Sequence, residues 1–427
     1  VNETKGLNRG QWIVLAAAFL GWMFASLEMG LFAIAARPAL IYLLWVTDAT
    51  VGPMTGNGTP LVDQWLWYLA VLFLLGAAAG GLVFGWMGDK IGRVPSMALS
   101  IFAYSLFTGL CWYAEAPWHL GIGRFLAALG MGGEWALGVA LVMECWPEKY
   151  RPILAGVIGA AANMGFLVIS LVGIGFAVTP QSWRWIMVAG AAPGILGLLV
   201  ILFVPESTRW QQAVRKSVTN PIREIFTPPL LKPTLLAIVF CFVTFLGSWG
   251  AVSGFLAPWA DQLAGRDNPH AKGIVQLSVS IGFFIGCLIG PLLSNRIGRR
   301  DAYYALCVAS LVSTQYLFRC VHEYNTWFVL MAGLIGTACS SFYGLLPLYL
   351  SEMFPTRVRA TGLGLSYNLG HLMVAGGWIY ADGLIATFGG NPPGGYPQIC
   401  ATITLVYIIG MVVNWFAPET MGQPLPE

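Results

Sequence analysis

Charge is what this sequence has least of. Asp, Glu, Lys and Arg make up 10% of its 427 residues, against about 25% in soluble domains. Hydrophobic residues make up 57%, too much apolar surface to hide inside a water-soluble globule of this size, so the bilayer is the expected solvent. A net charge of +3 lacks the basic excess that a nucleic-acid partner requires, and none is expected. Histidine occurs only four times, and the eight cysteines are scattered through apolar runs with no Cys-x-x-Cys pair or Cys/His ligand spacing. Neither a metal site nor a disulfide framework is expected, and no cofactor is implied; the cysteines read as small apolar filler. A nucleophile–base pair and a phosphate loop are also missing, which argues against an enzyme. A cleavable signal peptide is not expected either, because the first apolar run starts near Trp12 and is too long for an h-region.

What is present is a series of apolar runs. Twelve are long enough to cross about 30 Å of hydrocarbon: 11–36, 65–87, 95–114, 119–143, 152–178, 184–204, 233–258, 272–294, 302–320, 325–349, 358–387 and 398–417. The reading is an all-α polytopic membrane protein. An even number of spans puts both termini on one side, and 16 of the 22 Lys and Arg fall on that side's turns. The positive-inside rule makes that side the cytoplasm, and the expected membrane is the inner (plasma) membrane. The first outer loop, about 45–64, holds Gly52, Pro53, Gly56, Gly58 and Pro60 and is expected to be irregular. Residues 206–232 are the longest inner connection, rich in proline and basic residues; they read as a plain linker or as one carrying a short amphipathic helix on the membrane.

The inner turns repeat. Gly85–Arg93 reads Gly-Trp-Met-Gly-Asp-Lys-Ile-Gly-Arg and Pro291–Arg299 reads Pro-Leu-Leu-Ser-Asn-Arg-Ile-Gly-Arg, an offset of 206. Glu144-Cys-Trp-Pro-Glu-Lys-Tyr-Arg151 returns as Glu352-Met-Phe-Pro-Thr-Arg-Val-Arg359, an offset of 208, and Pro205-Glu206 as Pro418-Glu419, an offset of 213. Three motifs in one order at a nearly constant offset describe a duplication: a bundle over 1–205, a linker over 206–232 and a second bundle over 233–427.

On these motifs the chain resembles the major facilitator superfamily over its whole length. Gly85–Arg93 is similar to that family's signature between helices 2 and 3. Arg124, in Arg-Phe-Leu-Ala-Ala-Leu-Gly, matches its helix-4 arginine motif, and Pro205-Glu-Ser-Thr-Arg-Trp210 resembles a motif of sugar porters and organic-ion transporters. Gly21–Glu28 and Gly132-Gly-Glu-Trp135 are most similar to the metabolite–proton symporter branch, with its sialic-acid, aromatic-acid and phosphate carriers. The resemblance implies twelve transmembrane helices in two pseudo-symmetric six-helix bundles that rock about a central site. Two positions depart from it. Ala25 stands where that branch carries a second acid on the first helix, and Asn295 replaces the acid of the second turn.

Ionisable groups inside spans are expensive and need a reason. Glu28 lies among Leu27, Met29 and Leu31; a carboxyl that can be neutral or charged suits a proton carrier, the alternative being a permanently paired structural Glu. Arg124 can hold an acid ionised or bind a substrate carboxylate bidentately. Glu134 can join the coupling, touch substrate with Trp135, or stitch helices together among Gly130, Gly132, Gly133 and Gly138. Arg37, at the outer end of the first span, either snorkels or draws anions to the cavity mouth. In the C-terminal half, Trp249, Gln276, Tyr343, Tyr367, Asn368 and His371 are candidate binding residues, with Asn163 from the first half; aromatic packing and a neutral His contact are the plainer readings. Asp89, Arg93, Glu144, Arg151, Arg299, Glu352 and Arg359 are expected to form a cytoplasmic gate of ion pairs.

The expected function is secondary active transport of a small polar solute, an organic anion first, by alternating access with a proton, by a monomer in the lipid bilayer. A sugar or phosphate symporter or uniporter, and a non-transporting receptor of the same shape, are the alternatives.

Overall fold

The computed structural model describes residues 8–47, 60–216, 220–265, 268, 270–379 and 395–427. In hydrocarbon each backbone polar group must be satisfied inside its own segment, and the apolar runs accordingly form helices. The N-terminal half contains α1 (Arg9–Thr47), α2 (Pro60–Lys90), α3 (Arg93–Leu110), α4 (Pro117–Cys145) and α5 (Arg151–Gly175), followed by α6 (Trp183–Phe203). The C-terminal half contains α7 (Pro228–Ala264), α8 (Ala271–Ile297), α9 (Arg299–Cys320), α10 (Thr326–Met353) and α11 (Arg359–Ile379), then α12 (Gly395–Asn414). Ten of these are long and apolar enough to cross a membrane by composition; α9 and α11, at 22 and 21 residues, match the other two expected spans in length.

The departures from the expected spans are local. α1 continues through Pro38 to Thr47 and is 39 residues long. α6 is broken by a turn at 190–193, and α7 contains a π-helical stretch, Leu246–Ser253. Most of the expected irregular loop, 48–59, and the end of the eleventh expected span, 380–387, lie outside the described residues. The connection between halves holds two short helices, Thr208–Lys216 and Pro221–Glu224. The first is tied to the bundle, its Trp210 indole N–H donating to the Asp89 carbonyl at 3.0 Å.

The duplication is visible in the packing. α2 against α4, α1 against α5 and α3 against α6 are matched by α8 against α10, α7 against α11 and α9 against α12. The halves meet where α2 packs on α11 and α5 packs on α8 and α10. At the first of these seams the backbones touch: a Cβ on Gly81 would strike the Gly364 carbonyl, and one on Gly364 would strike that of Gly81. Small residues permit this approach, which lipid alone does not drive. α4, α7 and α10 are largely buried, while α2, α5 and α6 turn most of their length outward.

Each repeated basic turn reverses at a glycine with positive φ, Gly92 (118°) and Gly298 (99°). The third repeated motif caps them. Glu206 accepts from the Val94 N–H at 3.1 Å, and Glu419 accepts from the N–H groups of Arg299 at 3.0 Å and Arg300 at 3.1 Å. The two Pro-Glu motifs therefore fasten the ends of α6 and α12 to the starts of α3 and α9, at helix N-termini that favour a carboxylate.

Candidate functional site

Two adjoining cavities lie between the halves. The central one, about 80 Å³, is lined from α1, α2, α4 and α5 on one side and α7, α8, α10 and α11 on the other. Its walls are mostly aromatic. Trp135 stacks on Tyr367 with centroids 4.0 Å apart, Phe245 stacks on His371 at 4.6 Å, and Trp22 meets Tyr367 edge-on at 6.0 Å. Polar groups are few: Ser26, Asn163, Tyr343, Tyr367, Asn368 and His371. Asn368 is committed across the seam, its Nδ2 donating to the Gly132 carbonyl at 2.7 Å and to that of Gly364 at 2.9 Å. Tyr343 shares a 2.6 Å hydrogen bond with Ser248 of the π-helical stretch, so this stretch sets part of the wall. The volume is below the ~300 Å³ at the low end of ligand sites; the halves are drawn in around it.

The second cavity, about 430 Å³, shares Met29, Phe73, Trp249 and His371 with the first. Arg124 is its single charged lining residue among the described residues. The guanidinium lies between the rings of Phe32 and Phe73, 4.1 Å from each centroid, and its Nη1 pairs with Glu28 at 3.2 Å. Glu28 also accepts from Thr108 Oγ1 at 2.7 Å and is 1% exposed. Among the described residues this buried acid thus has one cation and one hydroxyl for partners, and the cation also faces an open space. A buried pair of this kind is easily unbalanced when a third charge arrives.

At the end carrying the basic turns, the halves are bound by charge. Arg93, fully buried, donates to Asp89 at 2.5 Å, to Glu144 at 2.9 Å and across the seam to the Thr356 carbonyl at 2.6 Å. Asp89 accepts from the start of α11: Ala360 N at 3.2 Å, Thr361 N at 2.8 Å and Thr361 Oγ1 at 2.5 Å. Arg359 crosses the other way to Glu144 at 2.8 Å. Arg299 and Glu352 pair within the second half at 2.9 Å, and Arg151 donates its Nε to the Met143 carbonyl at 3.0 Å.

Of the residues singled out from sequence, Trp135, Asn163, Trp249, Tyr343, Tyr367, Asn368 and His371 converge on the central cavity. Three expected binding residues do not line either cavity. Arg37 lies inside the extended α1, on its exposed face, and pairs with Asp63 of α2 at 2.5 Å. Gln276 is exposed on the outer face of α8, because spacing alone did not fix which face of that helix turns inward. Glu134 is fully buried inside the first bundle against α3, accepting from Ser100 at 3.0 Å. Sequence reasoning passed over Trp22, Ser26, Met29 and Phe73. The first three recur at i, i+4 and i+7, a stripe hidden in a run that is apolar on every side.

A family model for the Major Facilitator Superfamily matches residues 12–378. The chain is 26% identical over 378 residues to the inner membrane metabolite transport protein YgcS of Escherichia coli, covering 82% of each chain. It is 26% identical over 372 residues to the sialic acid transporter NanX of the same organism, covering 86% of this chain and 85% of that one. Its fold is similar to that of the proton:xylose symporter XylE, with a TM-score of 0.73 at 15% identity over 97% of this chain and 98% of that one. The chain belongs to the Major Facilitator Superfamily of membrane transporters.

Proposed function

We propose that this transporter carries a small organic anion together with a proton, by alternating access between the bundles 1–205 and 233–427. It does so as a monomer in the inner (plasma) membrane, with both termini and the charged end on the cytoplasmic side. One observation carries the reading: Arg124 is at once the partner of buried Glu28 and, among the described residues, the single cation on the wall of the larger cavity. A carboxylate that reaches Arg124 competes with Glu28 for the guanidinium. Glu28, losing its counter-charge in a dry site, then favours the neutral acid and takes up a proton. By linkage, the proton in turn strengthens anion binding. The aromatic cavity beside it receives the apolar body of the solute, with Trp135, Tyr367, Tyr343, Trp249 and His371 as its walls and Asn163 and Asn368 as its polar points. The buried network of Asp89, Arg93, Glu144 and Arg359 holds the cytoplasmic end shut in this state, and Arg299–Glu352 braces the second bundle.

The sialic acid named for one relative and the proton:xylose symport named for one structural neighbour are in line with this reading. The test is uptake into proteoliposomes with an imposed pH gradient, using labelled sialic acid and benzoate as anionic probes and xylose and inorganic phosphate as comparisons. Gradient-driven accumulation of an organic acid, with protons entering alongside, is expected. Uptake of the acids independent of pH, accumulation of xylose or phosphate alone, or saturable binding without uptake would overturn it.

A further inference from the structure

We infer that Tyr104 is a proton relay joining two buried carboxyls, Glu28 and Glu134, along an internal face of α3. Four hydroxyl-bearing residues recur every four positions on that helix, Ser96, Ser100, Tyr104 and Thr108, and all four are buried at 1% exposure or less. Such spacing stacks them on one face. The second and fourth members of this stripe hold the acids. Thr108 Oγ1 donates to Glu28 at 2.7 Å, and Ser100 Oγ meets Glu134 Oε2 at 3.0 Å. These positions are eight residues apart, about 12 Å along the helix, too far for direct transfer. Tyr104 stands midway and interacts electrostatically with both carboxyls. Its hydroxyl has no hydrogen-bond partner among the described residues, and neither has Glu134 Oε1. A buried phenol with nothing to bond is costly unless a group reaches it in some step.

The groups facing each acid are few. Glu28 meets Arg124 and Thr108, with Cys111 close enough to feel both charges. Glu134 meets Ser100, and its Oε1 lies against Gly21 of α1. Among the described residues no cation is bonded to Glu134, so a proton is the charge it can exchange. In the relay step the acid proton of Glu28 passes to the phenolic oxygen while the phenolic proton passes to the Glu134 carboxylate. Tyr104 ends as the neutral phenol it began as, Glu28 ends ionised against Arg124, and the charge moves inward by most of a bundle's half-depth. The path runs inside the first bundle, clear of the solute cavity, which gives the proton a route that bound substrate does not block.

The use of this relay in transport rests on the proton coupling proposed above, but its existence is measurable without any solute. The purified protein in lipid is moved into deuterated buffer at mildly acidic pH, and the carbonyl stretch of protonated carboxyls is followed by infrared spectroscopy. The component that Glu134→Gln removes reports Glu134. Its deuterium shift is expected to slow about tenfold or more in Tyr104→Phe, the scale of a lost proton-transfer group. Mere loosening of the core would speed the exchange instead. An unchanged or faster shift in Tyr104→Phe, or the absence of any band that Glu134→Gln removes, would overturn the inference. Failure of the uptake assay with a slowed shift would leave the relay standing and remove only its coupling to solute.

Discussion

Glu28 and Arg124 act as one unit, and each can be changed by the smallest chemical step. Glu28→Gln keeps the size and the acceptor for Thr108 but removes the titratable charge, so gradient-driven accumulation is expected to be abolished while exchange of labelled for unlabelled solute across the membrane persists. Full uphill uptake in that variant would take the proton away from Glu28. Arg124→Lys keeps the charge and loses the planar fork that sits between the rings of Phe32 and Phe73. Lysine is a more strongly hydrated point charge, and the expected result is an apparent affinity for anionic solute about ten- to a hundredfold weaker, the worth of one good charged hydrogen-bond pair. Flux measured against solute concentration reads it directly, and an unchanged half-saturation point would restrict Arg124 to a structural role. These two residues were legible from sequence because a charge in hydrocarbon is costly enough to need a partner. The apolar members of the cavity were not. In a helix that is hydrophobic all round, Trp22 and Met29 carry no phase, and only the neighbouring helices decide which side they face. The same absence of phase let Gln276 be read as inward when α8 turns it outward.

At the scale of elements, the repeated turns show how a shared motif diverges by environment. Burial pushes the Glu206 carboxyl above its ordinary value, with the backbone N–H groups of Ser207 and Val94 only partly offsetting it. Burial also raises Glu419, but the N–H groups of Arg299, Met421 and Arg300 outweigh it and hold that carboxyl below its ordinary value. The signs therefore oppose. A depressed carboxylate contributes stability that is present above its unfolded value and lost as pH falls through the folded one. A raised carboxyl binds its proton better in the folded state, so its turn is favoured as pH falls through the raised value. Acidification through the ordinary carboxylate range, near 4.5, is expected to loosen the Gly298 turn before the Gly92 turn. Amide exchange at Arg299 and Arg300 compared with Val94, each corrected for its intrinsic rate, checks this; parallel loss at both turns would contradict it. The three repeated motifs were plain in sequence. Their mutual contact was not, because Pro-Glu and the basic turn are over a hundred residues apart and only the folded bundle brings the acid to the glycine. The π-helical stretch of α7 was equally hidden, since Gly247 and Gly250 are ordinary residues for a membrane helix.

Across the whole molecule, the duplication predicts a pair of latches, and the structure contains one. Asp89 receives three donors from the start of α11: Ala360 N, Thr361 N and Thr361 Oγ1. The repeat maps Asp89 onto Asn295, Ala360 onto Pro152 and Thr361 onto Ile153. The second site has thus lost the acid, one N–H to proline and the hydroxyl to isoleucine, and Asn295 and Ile153 are both exposed. Among the described residues the carboxylate latch sits at the α2–α11 seam and has no counterpart at the α5–α8 seam. Asp89→Asn should weaken the closed state by about 1.5–3 kcal/mol, the worth of hydrogen bonds to a charged group, or about ten- to a hundredfold in the ratio of closed to open molecules. Spin-label distances between the halves at that end measure the ratio. Asn295→Asp alone can gain at most the N–H of Ile153 in the first turn of α5, so a shift toward closed of no more than about threefold is expected, within the range of one hydrogen bond. Adding Pro152→Ala and Ile153→Thr supplies the two missing donors and should deepen the closed state well beyond the single variant. If Asn295→Asp alone closes the transporter as firmly as the triple variant, or if Asp89→Asn leaves the distances unchanged, the end is held shut by packing at the seams and not by the carboxylate.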